Sequence, residues 1–197
     1  MKLYIIPGAC SLAVNIALRE AAIPFELAQL DSQTGKADGV DFRSINPKGY
    51  VPALRLDDGR VLTETMAILQ YVADQNPQAG LAPPAGTFER YRLAEWLAFI
   101  STEVHKAFSP LYSEEASQPV KDYALKRLAK RLDYLEGVVH APHLLGDEFT
   151  VADAYLFTVL GWVADVGMDP GRWPGLQHYR SNIARRPHVA AALESEA

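Results

Sequence analysis

Residues 77–85 carry Pro77, Gly80, Pro83 and Pro84, and they divide a chain that reads differently on its two sides. Clustered Pro and Gly end helices and strands alike. Before the break, short apolar runs alternate with helical ones. Residues 2–6 read as a strand, 11–22 as a helix and 25–30 as a second strand. Residues 31–41, rich in Gly, Ser and Asp, read as loop, and 42–45 as a helical turn closed by Asn46-Pro47-Lys48-Gly49. Residues 53–56 and 60–62 read as two short strands around Asp57-Asp58-Gly59, where Asp-Gly is a hairpin signal. A helix follows over 63–76. This β-α-β-(α)-β-β-α order predicts a small mixed sheet with helices packed on it, because a parallel pair needs a crossover and a hairpin supplies an antiparallel one.

After the break the chain reads as helix throughout. Residues 88–108 form one long helix, ending or bending near Pro110. Residues 121–139 place Leu125, Leu128, Leu132, Leu135 and Val139 on one stripe, with Lys and Arg opposite. Residues 150–165 are apolar on most faces and belong in the middle of a domain. Residues 173–185 and 187–194 close the chain. In Phe149-Thr150-Val151-Ala152-Asp153, Thr150 is placed to cap the N3 amide and Asp153 to reach back to the Thr150 amide. The alternative for Asp153 is an ordinary solvated charge. The expected organisation is a domain over 1–77, a linker over 78–87 and an all-helical domain over 88–197.

A length of 197 residues suits one large domain or two small ones. A hydrophobic content of 49% with 22% charged residues is that of an ordinary globular protein. The net charge of -5 argues against nucleic acid and anionic membrane surfaces as partners. No apolar run approaches about 18 residues, so no membrane span is expected. The first residues lack the basic start, apolar core and cleavage site of a secretory leader. Cys10 is the only cysteine and forms no internal disulfide, which suits a reducing compartment. The expectation is a cytoplasmic protein.

Cys10 follows an apolar strand and a Pro7-Gly8 turn, and a helical pattern begins at Ser11. A thiol at a helix N-terminus meets backbone N–H groups and the positive end of the helix dipole, so it can be acidified into a nucleophile. Otherwise a cysteine in this place is a small buried apolar residue. Val51-Pro52 precedes a strand, where Pro is tolerated; the bond is a plain trans turn or a cis one that turns the Val51 backbone outward to pair with an extended peptide. Glu64-Thr65 opens a helix, where the Thr65 amide and hydroxyl suit a carboxylate and Glu64 an ammonium. Together they fit the α-amino acid end of a ligand, or they are ordinary first-turn residues. Lys36 in the polar loop is a candidate for a second carboxylate, or a plain surface lysine.

Of the five histidines, only His105 lies in the long helix; it is a catalytic candidate or a structural side chain. Trp96, Phe99, Phe108 and Tyr112 pack in a core or wall an apolar pocket. There is no C-x-x-C, no H-E-x-x-H and no clustered His, so no metal is expected. Without a second cysteine, any disulfide chemistry runs through a mixed disulfide with an outside thiol.

End to end, the chain resembles the bacterial beta-class glutathione S-transferases. The resemblance rests on Met1-Lys2-Leu3-Tyr4, Pro7-Gly8-Ala9-Cys10-Ser11-Leu12-Ala13, Asn46-Pro47-Lys48-Gly49, Val51-Pro52-Ala53-Leu54 and Leu62-Thr63-Glu64. It continues through Glu95-Trp96-Leu97, Glu103-Val104-His105-Lys106 and Phe149-Thr150-Val151-Ala152-Asp153-Ala154-Tyr155. It implies the cytosolic glutathione transferase fold: an α/β thioredoxin-like N-terminal domain, an all-α C-terminal domain lining the electrophile site, and a homodimer. It implies glutathione as co-substrate, a cis Val51-Pro52 turn against its cysteinyl backbone, and Glu64 and Thr65 on its γ-glutamyl end. Lys36 would meet its remaining carboxylate. Thr102, Glu103, Val104 and His105 would line the site, and Cys10 would contact or covalently capture the sulfur. His105 would serve as hydrogen-bond partner or proton acceptor. Three departures stand out: Ile5 where other classes carry a tyrosine, Ala98 where the family often has Asn, and a loop before Lys36 that is a residue short, which leaves the correspondence of Lys36 open.

These expectations add up to a detoxifying transferase that conjugates glutathione to small apolar electrophiles. The alternatives are a glutathione-dependent thiol-disulfide oxidoreductase and a glutathione-binding or interaction module with little turnover, since fold does not fix function.

Overall fold

Leu3, Tyr4 and Ile5 are all buried, as an unbroken apolar run in a strand covered on both faces requires. They belong to β1 (Lys2–Ile5), the hub of the sheet in the computed structural model, which describes residues 1–140 and 142–197. β1 pairs in parallel with β2 (Glu26–Asp31) and antiparallel with β5 (Ala53–Arg55). With β3 (Lys36–Ala37), β4 (Val40–Asp41) and β6 (Val61–Thr63), the order across the sheet is β4-β3-β2-β1-β5-β6. This is the thioredoxin-like arrangement that the order of elements predicts.

The segment 31–41 is a correction: it is expected as loop and forms the β3–β4 hairpin. Asp38 and Gly39 connect the paired residues Ala37 and Val40, with φ of 52° and 77°. Positive φ at both central residues marks a two-residue hairpin turn of the primed type, for which Asp-Gly is well suited.

α1 (Ser11–Glu20) is buried from Ser11 through Leu18 because more than the sheet covers it. α2 (Thr65–Gln75) packs on it, and so does α8 (Pro187–Glu194). The chain accordingly forms two units, Met1–Ala82 with Arg186–Ala197, and Pro83–Arg185. The last helix, expected in the helical domain, belongs to the first unit. Periodicity places Val189 and Ala192 on a buried face but does not say which partner buries them.

In the second unit, α3 (Phe88–Phe99) runs through a π-helical stretch, Ile100–His105, into α4 (Lys106–Tyr112). The expected single helix over 88–108 thus continues to Tyr112, with Pro110 inside α4, and carries a widened segment that a 3.6-residue pattern does not announce. α5 (Gln118–Val138) buries Leu128, Leu132 and Leu135. α6 (Val151–Gly161), buried from Val151 to Leu160, packs against α3, the π-helical stretch and α7 (Pro174–Ala184). The capping box at Thr150 and Asp153 forms. Asp153 is fully buried, and its carboxylate also accepts hydrogen bonds from the Leu144 amide (2.8 Å) and the Tyr179 hydroxyl (2.7 Å).

Candidate functional site

Three adjacent strands bring the candidate residues of the first unit together. Tyr4 of β1 pairs with Ala53 of β5, and Ala53 pairs with Thr63 of β6, so these residues form one row across the sheet. The turn to Cys10 leaves β1 at that end, Val51-Pro52 enters β5 there, and Glu64-Thr65 leaves β6 there. Residues far apart in sequence converge because the register aligns three strand ends.

Ile6, Pro7, Gly8 and Ala9 form a tight turn closed by the Ala9 amide donating to the Ile6 carbonyl at 3.0 Å. Gly8 has φ 72°, and Pro followed by a positive-φ Gly is the type II pattern. Cys10 then occupies the N-cap of α1 without capping it. Its thiol, 9% exposed as a residue, instead donates to the Val51 carbonyl at 3.6 Å. The Ser11 hydroxyl donates to the Ile6 carbonyl at 3.2 Å and fastens the helix start to the turn.

The Val51–Pro52 bond is cis. Val51 is buried, and among the described residues its N–H has no hydrogen-bond partner. A buried unpaired amide is costly, and an extended ligand with a carbonyl to offer would satisfy it. The turn before it is held by Asn46, which is 1% exposed. Its amide donates to the Tyr50 carbonyl at 2.7 Å and its side-chain oxygen accepts from the Lys48 amide at 3.2 Å. Asn46 was not a candidate on sequence, although Asn-Pro-x-Gly is a turn signature in which an Asn side chain binds nearby backbone.

Glu64 precedes α2 with φ 71° and ψ 117°, a conformation unusual for a residue with a side chain. Such strain costs on the order of 1–3 kcal/mol and concentrates at functional sites. Its Oε1 accepts from Lys48 Nζ at 2.6 Å and from the Tyr50 hydroxyl at 2.7 Å. That bond to Glu64 is the main reason both the Lys48 ammonium and the Tyr50 hydroxyl hold their protons above their ordinary range. Thr65, the first residue of α2, is 6% exposed. Sequence reasoning found Glu64 and missed Lys48 and Tyr50, whose role depends on a contact across the Asn46–Val51 turn.

Lys36 stands apart from this group. It lies on β3, two strands across from β1, opposite Asp31 of β2 and Asp41 of β4. Its side chain has no hydrogen bond or ion pair among the described residues.

The four candidates of the helical unit occupy the end of the π-helical stretch. The Thr102 hydroxyl donates back to the Ala98 carbonyl at 3.0 Å. The Glu103 carboxylate is engaged by Arg131, whose Nε donates at 2.8 Å, and by Arg127 at 3.2 Å. These guanidinium groups, Arg131 first, hold it below the usual carboxylate range. The Val104 side chain is fully buried. His105 Nδ1 lies 2.7 Å from the Tyr155 hydroxyl. Burial, with a smaller push from the Lys106 charge, lowers the His105 imidazole to about 4. The ring also meets Trp162 edge-on at 5.0 Å, and Phe108 and Tyr112 face the same indole at 5.4 and 6.5 Å. Phe108 is buried while Tyr112 is 54% exposed, so this aromatic group reaches the surface of its unit. Trp96 and Phe99 pack elsewhere, the latter on Tyr134.

Models of known families match both units. The glutathione S-transferase N-terminal domain matches residues 8–75, and the glutathione S-transferase C-terminal domain matches residues 99–187. Glutathione S-transferase GstA of Escherichia coli O157:H7 is 43% identical over 201 residues, covering 100% of this chain and 98% of that protein. A beta-class glutathione S-transferase structure from Sphingomonas chungbukensis superposes with a TM-score of 0.96 at 49% identity, covering 100% and 99% of the two chains. A sphingomonad glutathione S-transferase solved in complex with glutathione gives a TM-score of 0.97 at 48% identity, covering 100% and 98%. Similarity of this extent, over both domains and around every segment of the Cys10 turn, places the chain in the glutathione S-transferase family, within its bacterial beta class.

Proposed function

We infer that the chain, a glutathione S-transferase, conjugates glutathione to small apolar electrophiles. The observation that carries the assignment of residues is the strand-end row Tyr4–Ala53–Thr63, which gathers Cys10, Val51 and Glu64-Thr65 at one end of the sheet. Their chemistry fits the tripeptide. The unpartnered Val51 N–H suits a peptide carbonyl, and the start of α2 at Thr65 suits the γ-glutamyl carboxylate. Glu64 suits its ammonium, which would exchange for Lys48. Lys36 is assigned the glycine carboxylate on charge alone. Thr102, Glu103, Val104 and His105 are assigned to the lining of the site, Glu103 through its neighbouring arginines and Val104 through its backbone. The exposed edge of the aromatic group around Trp162 suits an apolar electrophile.

In conjugation the glutathione sulfur is the nucleophile. With an aryl halide, its electron pair forms the C–S bond and the halide leaves with the pair of the C–X bond. Cys10 donates a hydrogen bond to that sulfur in exchange for the Val51 carbonyl. His105, neutral at physiological pH, acts as a hydrogen-bond partner; an imidazole held near 4 is a weak proton acceptor. The protein is further proposed to be a cytoplasmic homodimer with a role in detoxification. No helix among the described residues is long and apolar enough to cross a membrane.

A second reading is favoured by the sheltered single thiol: Cys10 exchanges with glutathione disulfides, forming a mixed disulfide that only an external thiol resolves. Parallel assays with glutathione and either an aryl halide or a glutathione mixed disulfide test both. Turnover of the aryl halide is expected; its absence, with binding intact, would leave the oxidoreductase reading or a binding module.

A further inference from the structure

We propose that Glu196 is a positioning residue for Cys10, its carboxylate holding the Pro7–Gly8 peptide in the orientation on which the Cys10 turn is built. Its effect on catalysis rests on the role proposed above for Cys10.

α8 lies along α1 and is tied to it at both ends. At its start, Arg186 donates to the buried Glu20 carboxylate at 2.7 and 2.9 Å. At the other end, the fully buried Asn15 donates through one nitrogen to Ser195 Oγ (3.1 Å) and to Glu196 Oε1 (2.9 Å). The Asn15 oxygen accepts from Arg19 Nε at 2.8 Å, so this side chain is fixed from both sides. Asn15 thereby fixes the Glu196 carboxylate, and the second oxygen, Oε2, accepts from the Gly8 amide at 3.0 Å.

That amide belongs to the central peptide of the Ile6–Ala9 turn. Types I and II differ by a flip of this peptide, and glycine at the third position tolerates either. The Gly8 N–H faces Glu196 in the observed type II form. A flip would turn the Pro7 carbonyl oxygen toward the same carboxylate, oxygen against oxygen. The carboxylate therefore selects one of two turn states, and it acts two residues before Cys10, across 188 positions of sequence. Burial raises the Glu196 carboxyl above its ordinary range, opposed by the Asn15 and Gly8 hydrogen bonds and the Arg19 charge. The group is thus partly desolvated, where its hydrogen bonds count for more.

The test compares Glu196→Ala with Glu196→Gln, which retains an acceptor oxygen. Amide exchange at Gly8 in Glu196→Ala is expected to rise about tenfold or more, the scale of one hydrogen bond to a charged acceptor. The rate of Cys10 alkylation should change at least about threefold, since the turn sets the thiol's surroundings. Glu196→Gln should recover much of both. Arg186→Gln, which loosens the opposite end of α8, should leave Gly8 exchange nearly unchanged. Unaltered exchange in Glu196→Ala, or an equal rise in Arg186→Gln, overturns the proposal; so does raised exchange with no change in alkylation. Altered alkylation with unchanged aryl-halide conjugation supports the positioning of Cys10 and refutes its catalytic role instead.

Discussion

Nδ1 of His105 and the hydroxyl of Tyr155 are 2.7 Å apart, joining the π-helical stretch to the buried α6. The imidazole beside this hydroxyl is lowered from 6.5 to about 4, chiefly by burial. The unfolded chain therefore takes up a proton at His105 at pH values where the folded protein does not. The stability held by the neutral ring is complete above about pH 6.5 and is lost as pH falls toward 4, by at most about 3 kcal/mol. The His105 ring resonances are expected to titrate near 4, and denaturation at pH 7.5 and 4.5 should show a smaller loss in His105→Phe than in the parent. A ring titrating near 6.5 would remove this account.

Glu64→Gln should weaken glutathione binding about tenfold or more, the scale of a hydrogen bond between charged groups. The Lys48 ammonium now on Glu64 marks a site built for a cation. Calorimetric titration with glutathione and with an analogue lacking the γ-glutamyl amine separates the effects. The variant should lose affinity for glutathione and little for the analogue; equal losses would show that Glu64 acts on the fold of the turn rather than on the ammonium.

What could be read ahead of the structure was local. The strand–turn–Cys10 order, the turn at Val51-Pro52 and the helix start at Glu64-Thr65 are each written in consecutive residues. The β3–β4 hairpin was readable by the rule applied to Asp58-Gly59, but strands of two residues carry no alternation to frame Asp38-Gly39. Lys48, Tyr50 and Glu196 left no signal because each acts through a side-chain contact with a residue distant in sequence. The π-helical stretch is equally silent, since its apolar residues fit a 3.6 period until the widened turn is seen. The Cys10–Val51 contact needs the β1–β5 register, which no single segment encodes.

Asp153→Ala should destabilise the helical unit by about 3 kcal/mol or more, because it removes a buried, fully bonded carboxylate. That carboxylate is fully buried and accepts from the Thr150 amide and hydroxyl (both 2.8 Å), as well as from Leu144 and Tyr179. Burial, then Asp153 itself, pushes the Tyr179 hydroxyl far above its ordinary range, so it stays a donor at all working pH values. Urea unfolding gives the measure, and glutathione affinity of the folded fraction should be unchanged. A loss under about 1 kcal/mol would mean the network relaxes around its missing member.

Cys10 separates the two chemistries. In disulfide exchange its thiolate attacks the glutathionyl sulfur of a mixed disulfide, forms Cys10–S–S–glutathione and releases the other thiolate. A glutathione thiolate then attacks the adduct, regenerating Cys10 and leaving oxidised glutathione. Cys10 is the only cysteine, so no internal thiol resolves the adduct, and it persists until glutathione arrives. Conjugation makes no bond to Cys10; the residue contributes one hydrogen bond, for which the neighbouring Ser11 hydroxyl and helix-start amides are partial substitutes. Cys10→Ala should therefore abolish reduction of a glutathione mixed disulfide while conjugation with an aryl halide falls only about tenfold, the scale of one such hydrogen bond. Intact mass after exposure to oxidised glutathione should show one glutathione adduct on the parent and none on Cys10→Ala. Equal loss of both activities would place Cys10 in the conjugation step itself, and an unmodified parent would remove the exchange chemistry altogether.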